Sequence, residues 1–188
     1  MEIPAALSER FPFLDVLEEG WEPVSRGAFF AWLAFYVLMI GNALFDGHLF
    51  QWIDLVFIPI HEGGHLLFRL FGEWVMVAGG TFLQLFVPFA LAAYFAFRRQ
   101  VLGTTFCAFF FFEQFLPIAI YMADARAQEL PLLTVGDSDD VIHDWFYLFS
   151  HAGVLEHDTQ IAGVFRFAGW IGMLATVGWF SYRSLRKA

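Results

Sequence analysis

Two histidines four residues apart, with a glutamate directly after the first, form the stretch of this 188-residue sequence best suited to hydrolytic chemistry: His61-Glu62-Gly63-Gly64-His65. On a helix, residues four apart lie one above the other on one face, so the two imidazoles can converge on a single ion. Glu62, one residue along, is offset from that face. Its carboxylate can reach a water held by the ion, take its proton as the water attacks a carbonyl, and later pass the proton to the leaving amine. Zinc suits this role because it lowers the pKa of its water from about 16 to about 7. Gly63 and Gly64 leave the turn without side-chain bulk, so a substrate or another helix can come close. Pro59 loosens the turn before it.

A catalytic zinc takes three protein ligands and keeps one position open, so a third ligand must come from elsewhere in the chain. Glu113 stands at about the depth of the motif if its helix runs parallel to the motif helix. Asp124 follows eleven residues later, about three helical turns on and on nearly the same face. His143 and Asp144, in Val141-Ile142-His143-Asp144-Trp145, can fold back over the helices from a loop, with Trp145 anchoring at the interface. Asp124 and His143 are the expected ligands; Glu113 and Asp144 are secondary candidates. Each has a plainer reading: Glu113 as a paired core carboxylate, Asp124 as a helix-end cap or a partner of Arg126, His143 as a loop residue. Gln84, at similar depth, could hydrogen-bond a substrate backbone, hold an oxyanion, or join helices. His151, Glu156, His157 and Asp158 read as solvated loop residues.

The solvent for these groups is lipid. The sequence is 59% hydrophobic and 20% aromatic, with mean hydropathy +0.61, outside the soluble range. Ionisable side chains near a bilayer centre cost about 2.5–3.5 kcal/mol each, so three within one turn call for a compensating partner such as a metal. A net charge of -9 excludes nucleic acid, whose phosphates need a basic face. The single cysteine, Cys107, excludes an intramolecular disulfide and a cysteine-based metal site.

Apolar runs give the organisation. The expected spans are about 28–45, 49–71, 74–97, 101–123 and 161–182, each long enough for a core of roughly 30 Å. The second carries the motif together with Asp54 and Arg69, which is odd for an ordinary span and asks for a function. Residues 124–160 are charged and irregular, with Pro131, Gly136 and Asp137-Ser138-Asp139-Asp140. They read as an acidic extramembrane loop with room for one short helix. Residues 1–27 read as an interfacial or solvated segment, and Met1–Glu9 as no removable signal peptide. The expectation is an all-α, single-domain, polytopic membrane helix bundle of about five transmembrane helices. Five spans put the termini on opposite sides, and Arg98, Arg99, Arg183, Arg186 and Lys187 make the C-terminal side cytoplasmic.

Pro59-Ile60-His61-Glu62-Gly63-Gly64-His65 in an apolar helix resembles the active-site helix of the site-2 protease family of membrane zinc peptidases and its compact bacterial relatives. The resemblance implies zinc on His61 and His65, Glu62 as general base, an aspartate ligand from a later membrane helix, and a bacterial inner-membrane location. The family usually carries that aspartate in Leu-Asp-Gly or Asp-Gly; no Leu-Asp-Gly stands in this chain, and Asp124, in Tyr121-Met122-Ala123-Asp124-Ala125-Arg126, is nearest in character. The function this implies is zinc-dependent hydrolysis of a peptide bond in or beside the membrane, on a membrane protein or peptide substrate. The alternative is a non-proteolytic metal-binding membrane protein: a cation carrier, a sensor or an inactive scaffold.

Overall fold

The computed structural model describes residues 20–45, 51–130 and 143–185, and every element among them is helical. The elements are α1 (Arg26–Phe45), α2 (Gln51–Phe68), a 3-10 turn (Arg69–Phe71), α3 (Glu73–Phe97), α4 (Val101–Glu113), α5 (Phe115–Ala123), α6 (Asp144–Ala152), a 3-10 turn (Leu155–His157) and α7 (Asp158–Leu185). Among the described residues, four stretches are long and apolar enough to cross a membrane: Arg26–Leu44, Glu73–Phe97, Val101–Ala123 and Leu155–Leu185. The motif helix α2 is not among them, because its polar residues interrupt an 18-residue helix. The molecule is apolar outside as well as inside: Leu38, Phe97, Val164 and Phe167 are all more than half exposed, as suits a hydrocarbon solvent.

α2 and α3 form an antiparallel hairpin turning at Gly72, whose φ of 93° is open to glycine at little cost. α3 packs on α2 and α4, and α7 packs along α4 and α5. One core joins α1 to α4 and α7 through Tyr36, Phe109 and Phe180, all fully buried, with the Tyr36 hydroxyl donating to Thr105 Oγ1 at 3.1 Å. A second core, Ile118, Met122, Phe149 and Ala162, clamps α6 between α5 and α7. That clamp matters for the site, because α6 begins with Asp144.

The run 101–123 is two helices rather than one. Pro117 has no N–H for the Glu113 carbonyl four residues earlier, and its ring crowds that carbonyl, so α4 ends at Glu113 and α5 starts after Gln114. The loop 124–160 contains α6, and its last residues already belong to α7. The cluster Asp137-Ser138-Asp139-Asp140 lies outside the described residues. Asp158 is not a solvated residue: it is 1% exposed and takes a forked pair of hydrogen bonds from Arg126, Nε to Oδ2 at 2.8 Å and Nη2 to Oδ1 at 2.7 Å. The fork ties the end of α5 to the start of α7.

Trp21, just ahead of α1, packs edge-on against Trp179 with ring centroids 4.9 Å apart. Arg99 and Arg183 lie over its ring, at 5.9 and 5.7 Å. The start of α1, the α3–α4 turn and the end of α7 therefore share one end of the bundle. Five full passes predict the opposite arrangement. The difference follows from α2, the run that falls short of an apolar span.

Candidate metal centre

His61 and His65 project from one face of α2 toward α3 and the first residue of α6. His61 Nε2 lies 3.0 Å from Asp144 Oδ2, and His65 Nε2 lies 3.3 Å from the same oxygen. The three ligand-capable atoms all fall within 4.8 Å of one another. The side chains are nearly buried, at 16%, 22% and 10% exposure for His61, His65 and Asp144.

The far side of each ring fixes its proton. His61 Nδ1 is 2.9 Å from Gln84 Oε1, and His65 Nδ1 is 2.9 Å from the Met76 carbonyl oxygen. Both oxygens can only accept, so each Nδ1 carries the hydrogen and each neutral ring turns an Nε2 lone pair toward Asp144. Were the two rings protonated at Nε2 as well, their hydrogen bonds and charge would outweigh the upward push of burial and hold the Asp144 carboxyl below the ordinary carboxylate range. Two lone pairs and a carboxylate oxygen at these distances repel unless a proton or a metal cation lies among them. Two imidazoles, each oriented by a second hydrogen bond, and a carboxylate are a donor set for zinc or a similar divalent ion.

Glycines make the space. A Cβ at Gly80 would stand 2.6 Å from both His61 Nε2 and His65 Nε2, so the floor of the site is bare backbone. One turn away, a Cβ at Gly64 would run into the carbonyl of Gly79. Gly64, Gly79 and Gly80 thus let α2 and α3 approach closely, and it is the second helix that uses the room beside Gly64. Glu62 is half-buried and makes no hydrogen bond or ion pair among the described residues. Its charge bears on both His65 and Tyr121, two neighbours of Asp144.

The other sequence candidates form the supports. His143 caps α6: its Nδ1 accepts from the Phe146 N–H at 3.2 Å, and its ring stacks on Tyr121 at 4.2 Å. Its Nε2 faces Asp124 Oδ2 at 3.4 Å, close enough for charge attraction but without hydrogen-bond alignment. Burial pushes the His143 imidazole down, against the opposing pull of Asp124. Asp124 meanwhile accepts from the Glu129 and Leu130 N–H groups at 2.9 and 3.1 Å. Asp144 N–H donates to the Tyr121 hydroxyl at 3.0 Å. The structure therefore brings Asp144 to the two histidines and sets Asp124 and His143 behind it as a layer that fixes the start of α6. Glu113 connects to the site through others: Gln84 Nε2 donates to Gln114 Oε1, and Gln114 Nε2 to Glu113 Oε2, both at 2.7 Å.

Sequence reasoning missed Gly79, Gly80, Met76, Tyr121 and Gln114. The adjacent glycines in an apolar helix were the available signal, since small residues mark close helix contacts; a backbone carbonyl such as that of Met76 leaves none. Compared with known proteins, the chain matches no family model, and no curated protein or solved structure is found similar to it.

Proposed function

We propose that the protein is a zinc-dependent metallopeptidase that hydrolyses a peptide bond in or beside the membrane. The observation that carries the reading is the convergence of two imidazole lone pairs and the Asp144 carboxylate over a glycine floor, with the carboxylate of Glu62 one residue from the first histidine. His61, His65 and Asp144 would hold the ion. Zinc, when bound, supplies a Lewis acid that acidifies water and polarises a carbonyl. Glu62 would accept the proton of the attacking water and deliver it to the leaving amine, a role for which its carboxylate has no competing hydrogen bond or ion pair among the described residues. The donor set alone would also suit ferrous iron; the position of Glu62 favours hydrolysis. Substrates are extended segments of membrane proteins or peptides, and lipid is the surrounding partner. The end that carries Arg98, Arg99 and Arg183 faces the cytoplasm of a bacterial inner membrane by the positive-inside rule.

The buried string Glu113–Gln114–Gln84 supports a second reading, a cation carrier, because polar groups leading inward from a metal site could line a path. One experiment separates the two. Detergent-purified wild type, His65→Ala, Asp144→Asn and Glu62→Gln are measured for metal by elemental mass spectrometry and for cleavage of a labelled unfolded protein. The expected result is about one zinc per chain in wild type, lost in His65→Ala and Asp144→Asn. Glu62→Gln keeps its zinc and loses about 10²–10⁴-fold in cleavage. Zinc absent from every sample after reconstitution, or full cleavage by Glu62→Gln, overturns the peptidase reading.

A further inference from the structure

The two histidines are oriented by different means. His65 Nδ1 faces the backbone carbonyl of Met76, a group that can never donate, so its tautomer is fixed by the fold. His61 Nδ1 faces a side-chain amide, and an amide is ambidextrous: turned over, Gln84 would offer its NH₂ to Nδ1 instead. His61 would then carry its hydrogen on Nε2. That alternative has its own attraction, because an Nε2–H would point at Asp144 Oδ2 3.0 Å away and make a good hydrogen bond. It would also remove the lone pair that a metal needs. A second set of contacts must decide between the two arrangements.

Those contacts lie deeper in the bundle. Gln84 is 9% exposed, Gln114 0% and Glu113 1%. Glu113 Oε2, Gln114 and Gln84 lead to His61 through bonds of 2.7, 2.7 and 2.9 Å. Glu113 Oε2 accepts from the NH₂ of Gln114, which leaves the Gln114 oxygen facing Gln84; that oxygen accepts from the NH₂ of Gln84, which leaves the Gln84 oxygen facing His61. These orientations form one consistent string with Glu113 as the acceptor at its end, and the last step places the hydrogen on Nδ1. Glu113 and Gln114 stand at the junction of α4 and α5.

We infer that Glu113 is a positioning residue for the metal centre, which sets the tautomer of His61 through Gln114 and Gln84. This rests on reading His61 as a metal ligand, although the tautomer itself can be read without metal. Glu113→Gln keeps shape but can donate or accept, so the string loses its direction. Gln84→Glu supplies an acceptor directly beside His61 and makes the rest of the string unnecessary.

The test uses full-length protein in detergent with ¹⁵N-labelled histidine, and zinc affinity from competition with a chelator. Metal-free wild type at alkaline pH, where the rings are neutral, is expected to show His61 protonated at Nδ1. Glu113→Gln is expected to show a mixture of His61 tautomers, an unchanged His65, and zinc bound about tenfold more weakly. Glu113→Gln/Gln84→Glu is expected to recover both the single tautomer and the affinity. A wild-type His61 protonated at Nε2 overturns the proposal even if the Glu113 variant fails to fold. An unchanged tautomer in Glu113→Gln, or no recovery in the double variant, overturns it too. Wild type that binds no zinc would sink the metallopeptidase reading, while the tautomer signals would still decide this one.

Discussion

Gly80→Ala puts the geometry of the centre to a direct test. The added methyl would stand 2.6 Å from the Nε2 atoms of both His61 and His65, whereas ordinary contact begins near 3.4 Å. It is therefore about 0.8 Å short on the side where both rings present their lone pairs. The rings cannot retreat freely, because both Nδ1 atoms are bonded at 2.9 Å to α3, the helix that carries the new methyl. Swinging them away stretches two hydrogen bonds worth about 1 kcal/mol each. Pushing α3 back instead opens the contact at Gly64, and overpacking of this kind costs about 1–3 kcal/mol. Either route displaces ligand atoms by nearly 1 Å. A site that loose should bind zinc about 100-fold more weakly, or about 2.7 kcal/mol. The assay is chelator competition on detergent-purified protein, with thermal unfolding of the metal-free form as the control for folding. A folded Gly80→Ala protein with wild-type zinc affinity would refute the claim that His61 and His65 form the site with their Nε2 atoms over this glycine.

Gly64→Ala should behave differently, since its methyl meets the Gly79 backbone rather than movable rings. It should lower the thermal stability of the metal-free protein, by roughly 1–3 kcal/mol, and a variant as stable as wild type would contradict the close α2–α3 packing. Asp124→Asn removes the charge facing His143 while leaving the triad intact, so zinc should bind less tightly by up to about tenfold; complete loss would instead mark Asp124 as a ligand. His143 gives a pH dependence. Burial lowers its folded pKa, so the stability from holding it neutral is whole above the unfolded value of about 6.5 and is lost as pH falls below that. Protonation also removes the Nδ1 acceptor that caps α6. Melting curves of metal-free wild type and His143→Asn, which keeps a capping oxygen, should diverge below about pH 6.5, with wild type falling faster; parallel profiles would count against it.

The helical layout was legible because apolar runs of about 20 residues report a hydrocarbon solvent directly. The placement of His61, Glu62 and His65 on one turn was legible for a similar reason: a helix fixes the relation of residues one and four apart. What lies beyond one helix was not. Asp144 is 83 positions from His61, and nothing in the local pattern distinguishes it from Asp124 or its neighbour His143. Their roles separate only when α6 docks between α5 and α7, which depends on the packing of Phe149 against Met122 and Ala162. The break after Glu113 did have a local sign in Pro117, but hydropathy reads straight through it. Trp21 was read as part of a surface segment, yet it is 9% exposed; an indole between two guanidinium groups satisfies both its apolar body and its charged neighbours, and only tertiary structure shows that.

The position of Asp144 at the head of a short helix between α5 and α7 bears on how the protein is made. Chains are synthesised from the N-terminus, so His61, His65, Gln84 and Glu113 emerge and pack before Asp144 exists. The nascent protein at that stage has two oriented imidazoles and a glycine floor, but lacks the Asp144 carboxylate that meets both rings. The third ligand arrives with α6, and the Arg126–Asp158 fork that holds this region in place forms only when α7 begins. If the centre takes a metal as proposed, loading would be a late step of biogenesis, following the docking of α6 and the start of α7.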